Sequence, residues 1–143
     1  MRAVLCPELG SIESLVVGER GSPALSDGGV RIGVKAAGVN FPDILMAEGK
    51  YQVKPDLPFT PGLEVAGEVL ECAAGVNHVK PGDRVLAFAR HGGGFAEEVV
   101  LPGEIVTPIP SDMDFVTAAA FPVAYGTAHF ALTHRGNLRP GET

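Results

Sequence analysis

The sequence predicts a mainly β domain with peripheral helices. Glycine and proline number 19 and 12 of 143 residues, more than a fifth of the chain, against roughly 12% in an average protein. They are spread along the chain between short apolar runs, where they act as turn punctuation rather than as a mark of disorder. The clearest run, Val30-Arg31-Ile32-Gly33-Val34-Lys35-Ala36, alternates apolar and polar residues as a half-buried strand does. Helical spacing is confined to one short stretch before residue 50 and to the last third of the chain.

Taken in order, residues 1–5 and 15–19 are short strand candidates. Asp27-Gly28-Gly29 supplies the turn into the alternating strand. Asn40-Phe41-Pro42-Asp43 is a helix start, with Asn at the N-cap and proline in the first turn, where its missing N–H is not needed. Ile44, Leu45 and Met46 extend it by one or two turns before Gly49 ends it. Residues 51–61 hold three prolines without periodicity and form a loop. Strands are then expected at 64–71, 84–89, 95–101 and 105–109. Lys80-Pro81-Gly82-Asp83 has the residues of a type II turn. Ser111-Asp112-Met113-Asp114, a short-armed capping box, opens an Ala-rich helix through Ala120, which Pro122 breaks. A second helical pattern covers 124–133, and 136–143 is a proline-glycine turn that stops short of a next strand.

Composition narrows the function. The formal net charge is −6, with no block of like charges, so nucleic acid and anionic membrane are poor partners. No apolar stretch approaches the ~20 residues that span a bilayer. Met1-Arg2-Ala3 leads straight into a short apolar run, and no leader peptide is expected. The isolated Cys6 and Cys72 read as buried, reduced thiols of a cytoplasmic protein.

Few patterns carry chemistry directly. Two distant cysteines and the scattered His78, His91, His129 and His134 lack the spacing of a structural zinc site. There is no G-x-S-x-G elbow, and Cys72 has no cationic neighbour in sequence to lower its pKa. His91-Gly92-Gly93-Gly94 lies between two strand candidates with no helix after it, so a flexible hairpin loop is expected in preference to a phosphate cradle. Glu64 is the odd residue, a carboxylate inside the apolar stretch Phe59-Thr60-Pro61-Gly62-Leu63-Glu64-Val65, where it needs partners or a raised pKa.

Together these segments resemble the medium-chain dehydrogenase/reductase family. Val34-Lys35-Ala36-Ala37-Gly38-Val39-Asn40-Phe41-Pro42-Asp43 is similar to its first active-site segment, and Pro61-Gly62-Leu63-Glu64-Val65-Ala66-Gly67-Glu68-Val69 to its Gly-His-Glu segment. Gly75-Val76, Lys80-Pro81-Gly82-Asp83-Arg84-Val85, Gly94-Phe95-Ala96-Glu97-Glu98 and Thr127-Ala128 follow in the family's order and spacing. The resemblance implies a GroES-like bent β-barrel with peripheral helices. Residues 1–143 would be the substrate domain, with 112–143 beginning the connection to a Rossmann domain. The chain has no glycine-rich dinucleotide fingerprint, so a cut before that domain is expected.

Zinc members of the family place Cys, His and Cys where this chain has Asn40, Leu63 and Val123. An amide, a leucine and a valine do not hold zinc, so the resemblance is to the zinc-free quinone oxidoreductase branch. It implies NADP(H) as cofactor, no metal, and hydride transfer to a small quinone or enone. Asn40, Phe41, Leu45 and Tyr51 would line the substrate pocket, and Asn40 and Thr127 would lie near the nicotinamide. Asn40 could bond a substrate or cofactor oxygen besides capping its helix. Tyr51 could bond a quinone carbonyl or simply be an exposed loop aromatic, and Thr127 could serve helix packing alone. Leu45 stands where some relatives carry a second tyrosine. Glu64 is expected to be structural, and no catalytic residue is assigned. The intact protein is expected to be a homodimer, and this chain alone to be inactive and to self-associate through apolar surface over 118–132. Alternatives are an enoyl-thioester or acryloyl-type reductase on the same scaffold and a non-enzymatic GroES-like oligomeric module.

Overall fold

The computed structural model describes residues 1–142; Thr143, the last residue of the expected C-terminal turn, lies outside them. Seven strands form two antiparallel sheets. The strands are β1 (Arg2–Leu5), β2 (Val16–Glu19), β3 (Gly29–Gly38), β4 (Glu64–Cys72), β5 (Arg84–Phe88), β6 (Glu98–Pro102) and β7 (Val106–Pro108). β1 pairs with β2, and the larger sheet runs β6-β3-β4-β5-β7. Three α-helices accompany the sheets: α1 (Phe41–Ala47), α2 (Phe115–Ala119) and α3 (Phe121–His129).

The alternating pattern of β3 does what its period requires. Val30 and Ile32 are fully buried, while Lys35 on the opposite face is exposed and ion-paired with Glu68 at 3.4 Å. Two register shifts in the β3–β4 pairing, between Arg31 and Ile32 and between Val34 and Ala36, bend the sheet. The main core is built from Val30, Ile32, Val65, Val69, Val85 and Val99, among others. β-branched valine suits these positions, because it packs well on a pleated surface. The small sheet is stitched on by backbone bonds: Val4 N–H donates to Phe95 C=O at 2.8 Å, and Cys6 and Phe59 exchange bonds at 2.8 and 3.2 Å.

Several local expectations are corrected. β6 starts at Glu98 rather than Phe95, because Phe95 N–H donates to Pro61 C=O at 2.9 Å and Glu97 N–H to Arg2 C=O at 3.1 Å, outside the β3 ladder. Ile105 belongs to a 3-10 turn, leaving β7 only three residues. α2 is capped by Asp114, not from Ser111: the Asp114 carboxyl accepts from Thr117 N–H at 2.8 Å and Thr117 Oγ1–H at 2.7 Å. Those bonds hold the carboxyl below its ordinary range. Pro122 ends α2 and also sits in the first turn of α3, so the second helix begins at Phe121 rather than 124. It changes to a π-helical turn over Phe130–Arg135. The glycine run is not a flexible hairpin loop. Gly93 and Gly94 N–H donate to Thr60 and Gly62 carbonyls at 2.7 and 3.0 Å, and a Cβ on Gly94 would collide with Gly62 and Val65.

Gly82 has φ +90 and Asp83 N–H donates to Lys80 C=O at 3.0 Å, which is the type II turn expected there. No helix among the described residues is long and apolar enough to cross a membrane. Ile32→Ala is expected to cost about 2–5 kcal/mol in urea unfolding. Val17→Ala, at a position 77% exposed, should cost no more than about 0.5 kcal/mol; equal losses would contradict this assignment of the core.

Candidate functional site

β3 ends at Gly38, and the chain turns through Asn40 into α1. Asn40 takes the N-cap position in extended backbone, but its side chain makes no cap bond. The cap is partly reversed: Asn40 N–H donates to Asp43 Oδ2 at 2.8 Å, while the Asn40 amide turns inward and donates to Glu64 Oε1 at 2.8 Å. Asp43 Oδ1 accepts from Gly62 N–H at 3.0 Å, which ties α1 to the turn before β4. Glu64 Oε2 accepts from Val123 N–H at 2.8 Å. A chain of four hydrogen bonds therefore runs from the Gly62 turn through α1 to the first turn of α3. Glu64 and Asp43, 3% and 4% exposed, are its buried carboxyls.

In front of this chain lies a groove of about 440 Å³, lined by Pro42, Tyr51, Leu63, Phe88, Pro122, Val123, Gly126, Thr127 and Phe130. Its volume falls within the range of small-molecule sites. Leu63 and Val123 supply apolar floor, and both belong to the cluster built on Cys6, Met46, Ala47 and Phe59. Tyr51 and Thr127 are the polar side chains in the lining, and no Lys or Arg lines it.

The five residues expected at the site separate. Tyr51 and Thr127 line one groove. Asn40 sits a layer behind, with its amide on Glu64. Leu45 lies off the lining, but its carbonyl accepts from Lys50 and Tyr51 N–H at 2.8 and 3.1 Å, which anchors the Tyr51 loop. Phe41 is 70% exposed and lies outside the lining. Apolar surface is exposed from Phe121 onward, through Tyr125, Phe130 and Leu132; Ala118 and Ala119 are buried against Ala66, which corrects the start of the expected patch. The thiols are poor nucleophiles, since burial pushes both Cys6 and Cys72 up.

A zinc ion does not fit here. Of Asn40, Leu63 and Val123, two side chains carry no donor atom, and the third is engaged by Glu64. No group of three His, Cys, Asp or Glu among the described residues is arranged to hold a metal.

Residues 26–111 match the family model of the alcohol dehydrogenase GroES-like domain. The chain belongs to that family. The GroES-like domain is 49% identical over 143 residues to the quinone oxidoreductase-like protein 2 homolog of Nematostella vectensis, covering 99% of this chain and 39% of that protein. Among solved structures, it superposes with TM-score 0.94 and 39% identity on the human synaptic vesicle membrane protein VAT-1 homolog-like protein, over 99% of this chain and 45% of that one. With the quinone oxidoreductase of Thermus thermophilus, whose NADPH complex has been solved, the TM-score is 0.84 and the identity 37%, over 99% and 43% of the two chains. The chain thus spans about two-fifths of the length of the curated relatives it matches. These relatives place the GroES-like domain in the medium-chain dehydrogenase/reductase family, as its motifs implied.

Sequence reasoning missed Asp43 as a buried acceptor and missed Phe88, Pro122, Gly126 and Phe130 as lining. Asp43 had a signal, since an acid three residues after an N-cap Asn reaches back to the cap N–H. Burial raises the Asp43 carboxyl above its ordinary 3.8, against the lowering effect of the Asn40 and Gly62 N–H donors. Its protonated form therefore favours the fold most. That contribution is complete below the ordinary value and is lost as pH rises through the raised one. The stability of the wild type relative to Asp43→Asn should fall as pH rises above the ordinary carboxyl value of 3.8 in urea titrations; a difference flat with pH would contradict it.

Proposed function

We propose that this domain is the acceptor-binding half of a zinc-free, NADPH-dependent oxidoreductase that reduces quinones or related enones. The observation that carries the reading is the apolar groove whose polar side chains are Tyr51 and Thr127, with carbon at the Leu63 and Val123 positions. A planar, electron-poor ring suits such a lining. Leu63, Phe88 and Val123 exclude water from its faces, and the Tyr51 hydroxyl donates a hydrogen bond to a carbonyl oxygen, drawing charge onto it. Thr127 and Gly126, on the exposed side of the groove, are the residues that would meet the nicotinamide end of the cofactor. When bound, the reduced nicotinamide supplies hydride. The relatives' names and the solved NADPH complex support this choice of cofactor and acceptor. The bare lining, without Lys or Arg for a coenzyme A phosphate, favours a free quinone over a thioester. Residues 112–143 lead toward a nucleotide-binding domain in this reading.

Two outcomes are expected. In calorimetric titration with 1,4-naphthoquinone, Tyr51→Phe should weaken binding about 2–10-fold, the range of one net hydrogen bond, and Gly126→Phe, which fills the groove, should abolish it. Unchanged affinity in both variants would remove the groove as the acceptor site. The purified 143-residue chain should also catalyse no NADPH oxidation with that quinone, because it lacks the glycine turn that holds a dinucleotide pyrophosphate; turnover above the protein-free rate would contradict this division of labour.

A further inference from the structure

We propose that Glu64 is the positioning residue of the α3 wall, a remote helix cap that fixes the width of the groove; this rests on the groove being the acceptor site. The first turn of a helix leaves N–H groups without intrahelical partners. α3 is entered from Ala120, whose side chain has no oxygen to cap them. Its third residue, Val123, instead donates its N–H to Glu64 Oε2, from a carboxyl 59 residues earlier in the chain.

Little else holds this wall. α3 contributes no fully buried side chain, and Phe121 and Tyr125 are 44% and 63% exposed. Its inward hold is the half-buried Pro122 and Val123 side chains, its contacts with α2 and β5, and that one N–H. Pro122, Val123, Gly126 and Thr127, nearly half the groove lining, ride on this attachment.

Glu64 is itself held on the barrel side. Its other oxygen accepts the Asn40 amide at 2.8 Å, and Asn40 is fixed through Asp43 to Gly62. Gly38 makes room for the carboxyl, since a Cβ there would land on it. The arrangement has a donor–acceptor direction: Asn40 gives, Val123 gives, and Glu64 takes both. Reversing the Asn40–Glu64 bond, while leaving an acceptor for Val123, therefore preserves it. An Asp at 40 facing a Gln at 64 does this, with the Gln amide donating to Asp and its oxygen accepting from Val123 N–H.

The test follows from that direction. Glu64→Met removes both acceptors, and Asn40→Asp sets two carboxyls against each other. Each should speed hydrogen exchange at the Val123 amide about tenfold or more and weaken 1,4-naphthoquinone binding several-fold. The double variant Asn40→Asp/Glu64→Gln should return both readouts to within about threefold of wild type, a rescue that general loss of stability would not give. The proposal is overturned if Glu64→Met leaves Val123 exchange unchanged, if the double variant exchanges no more slowly than Asn40→Asp, or if exchange responds while quinone affinity does not. Should the wild type bind no naphthoquinone, the acceptor reading fails. Val123 exchange alone then decides the wall: restoration in the double variant supports it, and none overturns it.

Discussion

A buried carboxyl is costly unless each of its oxygens finds a donor. Glu64 meets that condition with groups from two distant parts of the chain, the Asn40 amide and the Val123 N–H. Because it opens β4, paired with Gly38 of β3 and Phe88 of β5, its backbone is fixed by the sheet on both sides. The helices that frame the groove are fastened to it, α1 through Asn40 and α3 through Val123. Glycine at 38 and the bend of β3 across its two register shifts leave the space that this junction occupies.

The chemistry of the groove follows from what the junction holds in place. At the positions that the family resemblance equates with metal ligands of zinc members, Leu63 and Val123 present hydrocarbon, and the Asn40 amide is engaged by Glu64. What remains for a ligand is an apolar slot lined by one phenol and one threonine hydroxyl. Under the proposed function, such a slot would orient an electron-poor ring and polarise its carbonyl, with no ionising group of its own. The domain's share of the work, in the function proposed here, is placement; the cofactor carries the reducing power.

Much of the scaffold was legible in the sequence, because local chemistry determines it. The alternation of β3, the Pro81-Gly82 turn and the start of α1 at Asn40 depend on neighbouring residues, and each lies where those residues predict. Features set by distant partners were not legible. The glycine run at 92–94 is pinned because Thr60 and Gly62 present carbonyls to it. One local feature was also misplaced: Asp114, not Ser111, caps α2 through Thr117, because the helix begins at Phe115, later than the polar run implied. Glu64 stood out as a carboxylate among apolar residues, but its partners lie 24 and 59 positions away. Tyr51 and Thr127 came from family motifs; Phe88 and Phe130 join them only through pairing and packing that no local pattern encodes.

The central claim is that this groove is where an acceptor ring rests against the domain. A crystal structure of the chain soaked with 1,4-naphthoquinone tests it most directly. The ring is expected between Tyr51 and Thr127, over Leu63 and Val123, with a carbonyl oxygen within hydrogen-bond distance of the Tyr51 hydroxyl. A ring seated elsewhere on the domain, with this groove left free, would contradict it.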